Sequence, residues 1–259
     1  MNQWITLLNK EFLEMARNYK WIWVPLTFIL LGVMDPLTTY YMPQIIDSVG
    51  GLPEGAVIDI PEPSAKEVFI MSLGEYQTIG ILIIVLSMMG TIAGERKSGV
   101  AQLILVKPVS YISYITSKWT AALTLVVISL FLGFLASWYY TGVLFEFIPF
   151  GSFMAAFGLY ALWIALVLTL VVFTSATLKH PGAAGMVTLV TVFVFNMLGS
   201  YFSHLLEWSP TKLLPYASEM LVSDKWPEHA WPATGMASIL IILVLALTVI
   251  IFKRKELAD

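Results

Sequence analysis

No cysteine occurs anywhere in the 259 residues, which excludes disulfides, thiolate metal sites and cysteine nucleophiles. Charge is scarce as well. Asp, Glu, Lys and Arg make up 12 % of the chain, against roughly a quarter in soluble proteins, so most of the surface must face something other than water. Two catalytic signatures are also missing. No G-x-x-x-x-G-K-[ST] phosphate loop is present, and "GERKSG" has the wrong order, so ATP hydrolysis is not expected of this chain. His180, His204 and His229 belong to no H-E-x-x-H and fall at or beyond different span ends, so no shared metal site is expected. The first twenty residues mix acids, bases and apolar residues without an apolar core followed by small residues, so a cleaved signal peptide is not expected. No internal repeat or low-complexity tract occurs.

What the chain has in abundance is apolar surface: 58 % hydrophobic residues and a mean hydropathy of +0.82. Lipid is the environment this fits. A helix needs about 20 largely uncharged residues to cross a bilayer, and six runs qualify: 21–42, 68–93, 119–145, 152–178, 183–206 and 233–253. The predicted fold class is all-α, a single polytopic membrane domain over residues 1–259. Residues 1–20 place Trp4, Ile5, Leu8, Phe12, Met15 and Ala16 at helical spacing, the pattern of an amphipathic helix lying on the membrane surface. The segment 43–67, rich in Pro, Gly and acids, reads as an irregular outer loop. The segment 207–232, with three Trp and four Pro, reads as a re-entrant or interfacial cap.

Basic residues set the orientation. With both termini in the cytoplasm, the inner segments hold eleven of the 14 Lys and Arg, and only Lys66, Lys212 and Lys225 lie outside. That is the positive-inside pattern. The acids Asp47, Glu54, Asp59, Glu62 and Glu67 gather in the first outer loop. Trp21/Trp23, Tyr40/Tyr41 and Trp138/Tyr139/Tyr140 fall near span ends, as an interfacial belt requires. A multi-pass protein of a bacterial cell membrane is expected.

The stretch "GERKSGVAQLILVKPVS", residues 94–110, breaks the apolar habit between spans two and three, on the basic side. Gly99 is a plausible entry to a short helix and Pro108 a plausible stop, since the residue before proline disfavours helix. Val100, Leu103, Ile104 and Lys107 share one helical face, and Ser110 is placed to cap the next helix.

Glu95-Arg96-x-x-Gly99, then Leu103, Pro108-Val109-Ser110 and Lys118, resemble the permease subunits of ABC-2 type ATP-binding-cassette transporters, and look closest to permeases of Bacillus-type bacteria. The resemblance extends over the whole chain: surface helix, six spans, and a cap between spans five and six. Val100 stands where that family usually has Thr, and Tyr111 where a basic residue is common. The resemblance implies that 94–118 is a coupling loop gripped by a separate cytoplasmic ATPase. Leu103 and Ile104 would be its apolar anchors, Arg96 and Lys107 its polar rim, and Glu95, Gly99, Pro108 and Ser110 part of the same interface. It implies two ATPases and a second permease per complex, a copy of itself or a sister chain. ATP and Mg would be bound by the partner, leaving this chain non-enzymatic and without cofactor. Export is favoured over import. The almost uncharged spans suit an amphiphilic or lipid-like cargo. The competing reading of the loop is that its bases merely anchor the spans, as positive-inside loops do.

Three intramembrane polar residues need an account. Asp35 and Glu75 are either part of a translocation path or acids at the outer water interface, the latter being favoured. Asn196 either binds substrate or hydrogen-bonds a neighbouring helix, again the commoner case. Gly133, Ser137, Gly182, Gly185 and Gly199 allow close helix approach, and Met88, Met89 and Met197 read as packing. Two other functions remain: an ion-coupled secondary transporter, which would keep ionisable residues or broken helices at mid-membrane, and a non-transporting membrane regulator binding cytoplasmic signalling proteins. No nucleic-acid partner is expected.

Overall fold

A computed structural model describes residues 3–49, 63–106 and 109–256. Eleven α-helices account for most of them: α1 Gln3–Arg17, α2 Lys20–Val49, α3 Ala65–Glu75, α4 Ile81–Met88, α5 Ala93–Ser98, α6 Val100–Leu105, α7 Tyr111–Leu144, α8 Phe150–Thr177, α9 Pro181–Tyr201, α10 Leu213–Ser223 and α11 Ala230–Glu256. Among the described residues, six segments are long and apolar enough to cross a membrane: Lys20–Ile46, Ala65–Ser98, Tyr111–Leu144, Phe150–Thr177, Pro181–Tyr201 and Ala230–Lys255. The protein is a polytopic all-α membrane protein.

Inside a bilayer every backbone N–H and C=O must be satisfied within the chain, which is why the spans are helical and why α2 tolerates Pro25, Pro36 and Pro43 in its interior. Association between spans then depends on close packing rather than on escape from water. The α2–α7 seam shows this. A Cβ on Gly133 would lie 2.6 Å from the Phe28 carbonyl oxygen and one on Gly32 2.2 Å from the Gly133 oxygen, so only glycine lets these two backbones touch. The Tyr76 hydroxyl donates to Phe28 O at 3.1 Å in the same seam.

Helix α8 forms the centre, packed by α7, α9, α10 and α11, with Tyr160, Trp163, Ile164 and Leu168 fully enclosed. The second span is not one regular helix. A π turn over Tyr76–Gly80 joins α3 to α4, and a turn over residues 89–92 separates α4 from α5. α1 joins α2 through Tyr19 in the left-handed region (φ 55°). Both described ends of the chain emerge at the same end of the bundle, with α5, α6 and the start of α7. This end carries most of the lysines and arginines.

The opposite, acidic end is closed by the segment read as a cap. Residues Pro210–Lys212 form a 3-10 turn leading into α10, whose Leu213, Ala217 and Leu221 bury against the bundle. Asp224 then fastens three helices: it pairs with Lys66 of α3 at 2.6 Å and accepts from the Ser152 hydroxyl of α8 at 2.7 Å. Those two donors hold its carboxyl below the usual carboxylate range. α2 continues past residue 42 to Val49, and α3 opens earlier than residue 68, at Ala65, with a Ser64–Glu67 capping box. Residues 50–62 of the outer loop lie outside the described residues.

Candidate functional site

The short helices α5 and α6 form an elbow between the second and third spans. Gly99 is its pivot, in the left-handed region at φ 78° with open space around a notional Cβ. Backbone conformation rather than crowding therefore selects glycine here. The upstream arm is rooted on α8: the Ser175 hydroxyl accepts the Ile92 and Ala93 N–H groups, both at 3.0 Å, and donates to Met89 O at 2.7 Å. Arg96 donates to Ala176 O at 3.2 Å and stacks over the Phe252 ring of α11, 5.9 Å from its centroid.

Beneath the pivot lies a buried charge cluster. The Glu95 carboxylate accepts from Lys118 at 2.9 Å, from the Tyr114 hydroxyl at 2.5 Å and from Lys10. Lys118, 1 % exposed, also contacts Glu11 at 2.7 Å. Lys10 reaches Glu11 at 3.0 Å and Glu14 at 2.8 Å. Three elements distant in sequence, α1, α5 and α7, thus share one set of charges, with Glu11, Glu95 and Lys118 buried and Lys10 and Glu14 reaching the surface. Each charge is worth burying only because the others satisfy it. Burial pulls the Lys10 ammonium down, but Glu11, Glu14 and Glu95 together outweigh it and hold its pKa above the ordinary lysine range. Oxygens of Glu11, Glu14 and Glu95 lie within 4.8 Å of one another, close enough to share a cation. The Lys10 ammonium contacts all three carboxylates, and that of Lys118 contacts Glu11 and Glu95.

The downstream arm, α6, turns outward. Ala101 is buried, whereas Leu103 is 73 % exposed and Val106 86 % exposed. Ile104 is half-buried, packed towards Ile92, Tyr114 and Phe252. Of the residues singled out in the sequence, Glu95, Arg96 and Gly99 build the root and pivot, and Leu103 and Ile104 the projecting arm. Lys107 and Pro108 lie outside the described residues. Ser110 stands at the N-cap of α7 but its side chain makes no cap bond there. Only its carbonyl engages the helix, accepting from Tyr114 N–H at 2.9 Å.

The intramembrane polar residues sit elsewhere. Asp35 lies beside Ser72 and Glu75 towards the acidic end, far along α2 from the elbow. Asn196 of α9 accepts from the Gln77 side chain at 3.3 Å and donates to Val192 O at 3.0 Å, while Gln77 accepts from Trp163 of α8 at 2.9 Å. It is an interhelical hydrogen bond, made possible by the π turn that carries Gln77. Sequence reading missed Glu11 and the joint role of Lys10 and Lys118. The available signal was Glu11 at one helical turn from Leu8 and Met15, on the face of α1 that packs inward.

Six candidate spans, a rooted elbow at the basic end and a capped acidic end define a polytopic membrane protein with a short arm projecting from one end. The family model described as "ABC-2 family transporter protein" matches residues 5–257. An uncharacterized transmembrane protein of Bacillus subtilis (strain 168), YxlG, is 34 % identical over 258 residues, covering 99 % of each chain. The chain belongs to the ABC-2 transporter family, as a membrane permease component.

Proposed function

We propose that this chain is the transmembrane subunit of an ABC exporter whose ATP hydrolysis is carried out by a separate cytoplasmic ATPase gripping the 94–118 elbow. The observation that carries this reading is the elbow itself. A short arm with Leu103 and Val106 turned out of the bundle is fixed through Gly99 to a root that three elements hold by buried charge. Work done on the arm reaches α1, α7 and α8 with little slack, because ion pairs and the Ser175 bonds resist bending where a flexible loop would absorb it. The basic end faces the cytoplasm in this reading, in keeping with the distribution of lysine and arginine. A second permease, a copy or a sister chain, completes the pathway. The scarcity of charge within the spans points to an amphiphilic or lipid-like cargo.

Co-purification tests the proposal. A tagged chain expressed with its neighbouring genes and extracted in mild detergent is expected to bring an ATPase at equal stoichiometry. L103D and I104D are expected to lower ATP turnover of the complex at least tenfold while the permease stays monodisperse. Purification without any ATPase, or turnover indifferent to both substitutions, contradicts the reading. In vesicles, transport of an amphiphile and not of a highly charged solute is expected; the reverse preference overturns the cargo class.

A further inference from the structure

The segment that closes the acidic end is held differently at its two ends. At the near end the packing is apolar and tight. A Cβ on Gly199 of α9 would lie 2.1 Å from Thr211 Oγ1, and Leu213 and Ala217 of α10 are fully buried. Here Leu206, Trp208 and Pro210 also wall an apolar cavity of about 280 Å³, shared with Phe195 and Leu198 of α9 and Leu240 of α11. At the far end the hold is polar. Asp224, in the left-handed region at φ 53°, accepts from the Lys66 ammonium at 2.6 Å and from the Ser152 hydroxyl at 2.7 Å. Lys66 also donates to Val222 O at 3.2 Å. We propose that this segment is a strap latched over the acidic end at Asp224, and that the second span, which carries the elbow, works the latch. The inference rests on the reading that an ATPase grips the elbow, and extends it to the other end of the molecule.

Three observations carry it. The Asp224 carboxylate bridges the first turns of α3 and α8, through Lys66 and Ser152. Those are the same two spans that Ser175 of α8 ties together beside the elbow, through Ile92 and Ala93. A shift of the second span against α8 at the basic end therefore has a reporter at the acidic end. The span is also fit to transmit such a shift. It holds no proline, and its backbone stays hydrogen-bonded through the turn over residues 89–92, with Met89 N–H on Val85 O at 2.8 Å and Gly94 N–H on Gly90 O at 2.9 Å. Lastly, the latch is releasable. The Lys66 and Asp224 side chains are 29 % and 44 % exposed, and ion pairs so placed hold weakly. A displacement of about 1–2 Å takes such a contact out of hydrogen-bond range, while the buried near end of the strap stays in place.

Crosslinking in vesicles that contain the whole complex tests the inference. Because the chain has no cysteine, S152C/D224C carries its only two thiols, which a short, reducible bis-methanethiosulfonate can join. Efficient joining is expected without nucleotide, with the yield falling at least fivefold when ATP is trapped by vanadate. Once joined, the complex is expected to lose ATP turnover at least fivefold and to regain it on reduction with dithiothreitol. The same reagent on D224C alone should leave turnover where it stood before treatment. K66M, which frees the strap without a crosslink, is expected to raise turnover at least twofold, and K66R to restore the parent rate. A pair that does not join without nucleotide, a yield indifferent to trapped ATP, turnover that survives full crosslinking, or a K66M rate equal to the parent's overturns the latch and leaves the elbow reading intact. A complex that retains no ATPase overturns both.

Discussion

Glu95 is where the most depends on one side chain. It balances Lys118, Lys10 and the Tyr114 hydroxyl inside a space that water barely reaches. Removing one member of a buried ion pair strands the other and costs about 3–5 kcal/mol. Glu11 still holds Lys118 in E95Q, so the lower end of that range applies. Thermal unfolding in detergent is expected to show this loss for E95Q. E14Q, whose carboxylate is 48 % exposed, should change stability by no more than about 1 kcal/mol. Equal effects would mean that the cluster is wet and that Glu95 roots nothing. Lys10 sets the pH behaviour. Its folded pKa is raised, so its contribution is complete below the ordinary lysine value of 10.5 and is lost only as pH climbs through the higher folded value. A K10M variant should therefore be less stable than the parent at neutral pH, with the gap closing only in strong alkali. A gap that closes on going from alkali to neutral pH contradicts the ion-pair account.

At the scale of elements, the elbow and the α2–α7 seam both depend on glycine, for different reasons. At Gly99 there is room for a side chain but the backbone is left-handed, so G99A is expected to cost about 1–2 kcal/mol, or else to straighten the arm. Because α6 buries only Ala101 fully and turns Leu103 outward, ATP turnover in the complex should fall more than the unfolding temperature does. At Gly133 the backbone is ordinary and the space is missing, so G133V should force α2 from α7 and lower stability sharply, whereas G74V, with nothing within 4 Å of its Cβ, should be silent. These two roles mark what the sequence discloses. Uncharged runs of bilayer length, broken by Pro, Gly and charge, are visible in one dimension, and so are the six helices that can span. The elbow is visible too, since Gly99 and the run Glu95-Arg96-Lys97 interrupt an otherwise apolar chain. The charge cluster is not. Lys118 has the look of any anchoring lysine, and nothing local says that Glu11, more than a hundred residues away, will meet it. Likewise the π turn at Tyr76–Gly80 leaves no mark in hydropathy, though it is what carries Gln77 to Asn196.

For the whole molecule the question is which side of the membrane the elbow occupies and what touches it there. The absence of cysteine makes this directly measurable, because L103C would carry the sole thiol. In intact cells a membrane-impermeant maleimide added outside should leave L103C unlabelled. In inside-out vesicles stripped of ATPase the same reagent should label it fully, and rebinding the ATPase should shield it. Labelling from outside intact cells, or equal labelling with and without the ATPase, would contradict the account.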